Sequence, residues 1–96
     1  MKPYRLTPAA QRDLSQIWDY TEEQWDLRQA ETYIGDLWSA IERIAADPSL
    51  GRQCDDVRTG YRRYAIGSHL VFYVETEATV DVIRILHQRM DPGRHL

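Results

Sequence analysis

Apolar residues fall in two different rhythms along this chain, and the change of rhythm divides it. Ala10, Leu14, Ile17, Trp18, Thr21 and Trp25 recur at steps of three and four, with Gln11, Arg12, Asp13, Ser15, Gln16, Asp19, Glu22 and Glu23 between them. That period predicts a helix with one apolar stripe. A second stripe runs through Ala30, Ile34, Leu37, Trp38, Ile41, Ile44 and Ala45. Beyond residue 60 the apolar residues gather instead into runs at 61–66, 70–74 and 80–86, rich in β-branched and aromatic types. Such runs suit a pleated surface and predict an antiparallel three-stranded meander. In the middle run Leu70, Phe72 and Val74 share one face and Val71 and Tyr73 the other. Both faces are therefore apolar, and the strand is expected to be central and covered.

The boundaries follow from local chemistry. Thr7 and Pro8 read as an N-cap and a first helical residue, because proline lacks the N–H that this position leaves unpaired. Asp26 caps the second helix with Gln29 three residues on, and Asp47-Pro48 ends it. A turn this short forces the helices into an antiparallel hairpin whose stripes can cover a sheet face. Trp18 and Trp38 are expected in the core and Trp25 at the hairpin tip, partly exposed. Gly35 costs about 1 kcal/mol against alanine and is expected to permit close helix packing. Residues 2–6 predict a short edge strand, with Pro3 suited to an edge. Residues 49–59 predict a loop anchored by Leu50 and Val57, and Asp91-Pro92-Gly93 a turn leading to a polar tail. The expected order is β-α-α-β-β-β, an α+β domain spanning 1–96.

Charge narrows the function. Net charge is −3, with five basic against nine acidic groups in the first fifty residues and seven against six after them. Lys2 is the single lysine, and every basic group of the second half is arginine. Nucleic-acid binders usually carry a dense basic patch, so direct DNA binding by this chain alone is not expected. Arginine's planar fork suits capture of one carboxylate or phosphate instead. Arg62 and Arg63 interrupt one apolar strand, Arg84 and Arg89 another, and each must reach solvent, a carboxylate or a partner, since an unpaired buried charge costs several kcal/mol. Arg58, Arg62 and Arg63, with the neighbouring Tyr64 and the grooves beside the helical hairpin, are the candidates for holding a partner through acidic and apolar anchors.

Cys54 stands alone, so no internal disulfide can form. Cys54, His69, His87 and His95 show neither C-x-x-C nor H-x-x-x-H spacing, so no metal site and no cofactor is expected. The first residues lack the apolar stretch of a signal peptide and no run approaches eighteen apolar residues, which predicts a cytoplasmic protein without a membrane span.

The opening A-x-x-DL-x-x-IW-x-Y (Ala10 to Tyr20), the segment QAETYIGDLWSAIERIAADPSLGR and the ending GYRRYAIGSHLVFYVE…VIRILHQRMD resemble the ParE toxins of bacterial toxin-antitoxin modules over nearly the whole chain. The resemblance implies the compact fold shared by the RelE/ParE superfamily, neutralisation by a ParD-like ribbon-helix-helix antitoxin whose C-terminal region wraps the toxin, action on DNA gyrase, and no catalysis. Under it, His87, Arg89, Met90 and Arg94, on the segment after the last strand, are the candidates for gyrase contact. The alternative it brings is mRNA cleavage of the RelE kind, which needs a general base, cations for the phosphorane-like charge and a general acid. Laid on that pattern, His69, Arg89 and His95 take those roles, with Arg63 an auxiliary cation.

Overall fold

The structure, a computed structural model, describes residues 1–96. Both helices start where capping chemistry places them. The Thr7 hydroxyl accepts the Ala10 N–H at 3.0 Å and opens α1, Pro8–Gln24. The Asp26 carboxylate accepts the Gln29 N–H at 2.7 Å and opens α2, Leu27–Ala46, which stops before Pro48. Around this hairpin the chain forms β1 (Tyr4–Leu6), β2 (Arg52–Gln53), β3 (Tyr61–Ile66), β4 (His69–Glu75) and β5 (Val80–His87). They make one five-stranded sheet in the order β1-β5-β4-β3-β2, with β1 parallel to β5 and the other pairs antiparallel. The observed order is therefore β-α-α-β-β-β-β. The added strand, β2, has two residues in a segment expected to be loop, too short to show any alternation.

β4 is central and buried on both faces. Val71 and Tyr73 join Leu37, Ile41 and Ile44 in the main core under the helices. Phe72 faces the other way, with Leu86 and Cys54, into a smaller cluster closed by Val57, Tyr61, Leu70 and Leu96. The loop after α2 is tied down by Tyr73, whose hydroxyl donates to the Pro48 carbonyl at 2.7 Å and accepts the Gly51 N–H at 2.8 Å. A Cβ on Gly51 would stand 2.3 Å from that oxygen, so the close approach requires glycine. Cys54 and Val57 anchor this loop. Leu50, expected to do so, is 44% exposed, because the hydrogen bonds of Tyr73 fix the backbone on either side of it and leave its side chain outward.

In β5 the register shifts beside Phe72 and Tyr73: Arg84 faces Phe72 and Val82 faces Tyr73, leaving Ile83 as an extra residue. The bulge reverses the alternation, so that Val80, Val82 and Ile85 all enter the main core. Past Leu6, β1 no longer covers the edge of β5, and α1 takes over. The Thr7 hydroxyl donates to the Ile83 carbonyl, and the Asp13 carboxylate accepts the Ile85 N–H at 2.9 Å and two bonds from Arg84 at 2.8 Å. Asp13, expected on the polar face, is 7% exposed and belongs to the stripe.

Three further expectations are corrected. Trp38 is 37% exposed and stacks near Tyr4, ring centroids 6.4 Å apart, at the margin of the stripe. Gly35 faces open space, so helix packing does not need it. The tail is not purely polar in its packing: Leu96 seals the smaller cluster and the His95 carbonyl accepts from Arg84. No helix is long and apolar enough to cross a membrane.

Candidate functional site

Three surfaces collect the residues that folding leaves unused. The first is a groove of about 770 Å³ where the hairpin meets β1. Leu14 and Trp18 of α1, Ile34 and Trp38 of α2, and Tyr4 and Leu6 of β1 line it. Each belongs to an apolar stripe or a strand face, but β1 is only three residues long and cannot fill the space between the helices and β5. Arg5 at its rim pairs with Asp81 at 2.7 Å, which raises the arginine and holds the Asp81 carboxyl below its usual range. The groove thus presents aromatic rings with little net charge, the kind of surface that anchors a partner's apolar side chains.

The second surface is the arginine-bearing strand. Arg62 Nη1 donates to the Gly51 carbonyl at 2.7 Å, and Arg58 lies 5.9 Å over the Tyr61 ring. Tyr64 carries Arg43 over its ring at 5.8 Å. Arg63 faces Arg52 across β2 and β3. The acidic pair nearby, Asp55 and Asp56, forms none of the molecule's ion pairs, and Asp55 accepts the Gly60 N–H at 2.9 Å.

The third lies at the far end of the meander. Gly67-Ser68 joins β3 to β4 as a two-residue turn with positive φ at Gly67 alone (φ 55), the pattern of a type II′ hairpin. The Tyr33 hydroxyl of α2 accepts the Ser68 N–H at 3.1 Å and is hydrogen-bonded to His69 Nδ1 at 2.6 Å. His69 pairs in register with His87, their rings edge to face at 5.4 Å. These two histidines, Ile17 and Tyr20 of α1 and Met90 line a cavity of about 250 Å³. Burial first, then the neighbouring His87, pushes the His69 imidazole down to about 4, against a weaker opposite pull from Asp13. It is therefore neutral at pH 7, more suited to a fixed hydrogen bond than to carrying charge. Arg89 donates its backbone N–H to His87 Nδ1 at 3.1 Å, but neither Arg89 nor His95 lines the cavity on which His69 opens. The exposed Arg94 pairs loosely with Asp91 at 3.8 Å.

The depressed His69 value has a consequence for stability. The unfolded imidazole, near 6.5, binds a proton that the folded one refuses until about 4, so stability is fully present above pH 6.5 and is lost as pH falls through that window. After discounting for solvent screening, the expected loss is about 1–2 kcal/mol between pH 7 and pH 4.5. Urea unfolding of wild type and His69→Gln across that range measures it; parallel pH curves for the two proteins would remove His69 as the cause.

Sequence reasoning missed Asp13, Tyr20, Tyr33 and Arg52 as contributors to these surfaces. Two of them were in phase with their stripes: position 13 is three after Ala10 and four before Ile17, and position 33 is three after Ala30 and four before Leu37. Arg52 carries no local signal.

A helical hairpin on one face of a mixed five-stranded sheet is also the fold of a chain from a solved structure described as the chromosomal ParDE TA system from P. aeruginosa. That chain is 18% identical, with a TM-score of 0.79 over 91% of this chain and 96% of its own. The model of the family described as ParE toxin of type II toxin-antitoxin system, parDE, matches residues 4–92. A protein named Toxin ParE1 from Mycobacterium tuberculosis (strain H37Rv) is 53% identical over 94 residues, covering 97% of this chain and 96% of that protein. Another Toxin ParE1, from Caulobacter vibrioides, is 47% identical over 96 residues, covering 100% and 99%. The chain belongs to the ParE toxins of parDE type II toxin-antitoxin systems.

Proposed function

We propose that this toxin acts by protein contact alone: a ParD-like ribbon-helix-helix antitoxin holds it inactive in the cytoplasm, and DNA gyrase is the target of the free chain. No cofactor, membrane or direct DNA contact enters this reading. The observation that carries it is the groove between the hairpin and β1, an aromatic surface that the chain builds from its own core stripes and does not cover. An amphipathic helix laid into such a groove buries its apolar face against Trp18 and Trp38. Arg58, Arg62, Arg63 and Tyr64 then meet the antitoxin's acidic residues. Titration with the ParD-like antitoxin of the toxin's own module tests this. Because buried tryptophans dominate interfaces of this kind, Trp38→Ala should weaken binding about 30-fold or more. Unchanged affinity would move the antitoxin off the groove.

His87, Arg89, Met90 and Arg94 make up the gyrase-facing segment. Met90 is 39% exposed at the mouth of the histidine cavity, and the Arg94 side chain is 83% exposed. Neither Arg89 nor Met90 supports the core, so replacing both with alanine should relieve growth arrest while antitoxin affinity and the unfolding midpoint stay as they are. Arrest undiminished in that double variant would take the gyrase contact away from this segment. Truncation is the poorer test, since removing Leu96 opens the cluster around Phe72. Against mRNA cleavage stand the weak basicity of His69, pushed down to about 4 and bonded to Tyr33, and the dispersal of the other two groups, since Arg89 and His95 lie off its cavity.

A further inference from the structure

Arg52 and Arg63 stand directly opposite each other across β2 and β3. Like charges at facing positions of an antiparallel pair repel, so this arrangement works against the fold. The other arginines of the neighbourhood are engaged: Arg62 with the Gly51 carbonyl, Arg58 with Tyr61, Arg43 with Tyr64, and Arg84 with Asp13. The four ion pairs of the molecule, Lys2–Glu75, Arg5–Asp81, Arg84–Asp13 and Arg94–Asp91, leave both Arg52 and Arg63 out. Together they border a concavity of about 530 Å³ whose remaining lining includes Leu50, Ala65, Leu70 and Gln88. It lies on the sheet face turned away from the helices, because Arg63 and Ala65 pair in register with Phe72 and Leu70, residues of the smaller cluster.

We propose that Arg52 and Arg63 form a receptor for one Asp or Glu carboxylate of the antitoxin, with an adjacent apolar residue of the same segment seated on Leu70. The proposal rests on the reading that a ParD-like antitoxin holds this chain. Two guanidinium forks on one carboxylate turn their mutual repulsion into attraction, and they do so only in the complex. A nucleic-acid strand fits the site poorly. It would need a track of cations, whereas here two arginines are bordered by leucines on a chain of net charge −3. The surface therefore joins one fixed charge contact to an apolar one, the combination that sets register in an interface while the aromatic groove supplies area.

The test uses the full-length toxin and the ParD-like antitoxin of its own module, titrated at low and high salt. Arg52→Gln and Arg63→Gln should each weaken binding about 10- to 100-fold, and the double variant should show a flatter salt dependence than wild type. Free toxin carrying both changes should unfold at the same or a higher temperature, since a repulsion has been removed. Unchanged affinity in the double variant overturns the proposal, as does a loss of affinity matched by a lower unfolding temperature of the free chain, which would make the pair structural. A twelve-nucleotide single strand is the control: if wild type binds it and the double variant does not, while antitoxin affinity is unchanged, the pair belongs to a nucleic acid. A wild-type chain that does not bind the ParD-like antitoxin at all overturns the antitoxin reading and the receptor with it, so the wild-type titration tells the two failures apart.

Discussion

Leu37→Ala should remove about 2–5 kcal/mol of stability, through the lost transfer energy of the side chain and the cavity it leaves. Leu37 is fully buried at the middle of α2, in the core cluster that also holds Ile41, Ile44, Val71, Tyr73 and Val82. Those neighbours come from α2, β4 and β5, so none can move in to fill the space without unseating the sheet. For a domain of this size the loss is a large share of a total near 5–15 kcal/mol. Urea unfolding reads it as a lower midpoint with an unchanged slope. A loss within the ordinary surface range of about 0.5 kcal/mol would mean that this face of α2 does not carry the core.

Asp13→Ala should be as damaging, by a different mechanism. One carboxylate of α1 accepts the Ile85 N–H and two bonds from Arg84. Removing it leaves a part-buried guanidinium with only the His95 carbonyl and a buried backbone donor with no partner, an effect of about 3–5 kcal/mol. Asp13→Asn, with its amide oxygen at the Oδ2 position, keeps an acceptor for two of the three donors, the Ile85 N–H and Arg84 Nε, and should lose less. The double variant Asp13→Ala/Arg84→Ala should lose less than the sum of the single changes, because it no longer leaves an unpaired charge. Additive losses in that cycle would show that the bond geometry carries no coupling.

Asp13 also marks where the sequence stopped being legible. The helices could be read because their caps are local and their stripes regular: Thr7, Asp26 and Pro48 act within a few residues of themselves. The meander could be read because Leu70 to Val74 is apolar on both faces. The parallel pairing of β1 with β5 joins residues seventy-six positions apart in sequence, Tyr4 with Val80, and nothing in either segment states it. The same holds for β2, whose two residues form a strand only because Arg62 and Arg63 are already in place. The bulge at Ile83 reverses the alternation of β5, so reading that strand as strictly alternating would send Ile85 to the wrong face. Arg84 was legible as a charge in need of a partner, but its partner seventy-one residues away was not.

The site was legible in kind more than in detail. Arg62, Arg63 and Tyr64 were expected on a strand and lie on β3, but alternation turns Arg62 and Tyr64 to the helix side with Tyr73 and Val71, and Arg63 to the other side with Phe72. Grooves beside the hairpin were expected to take part, but not their aromatic lining, because Trp18 and Trp38 fit the helical period of core residues; only the shortness of β1 leaves them partly uncovered. Likewise His69 was visible as a titratable group after a turn. Its partners Tyr33 and His87 meet it only once α2 and β5 are folded against the hairpin.

Expressing the toxin without its antitoxin, and assaying DNA supercoiling and mRNA integrity in the same cells, tests most directly whether the chain works by contact with gyrase. Contact predicts lost supercoiling activity with intact transcripts, and recovery when Arg89 and Met90 are replaced. Cleaved mRNA alongside normal supercoiling, abolished by His69→Ala, would contradict it.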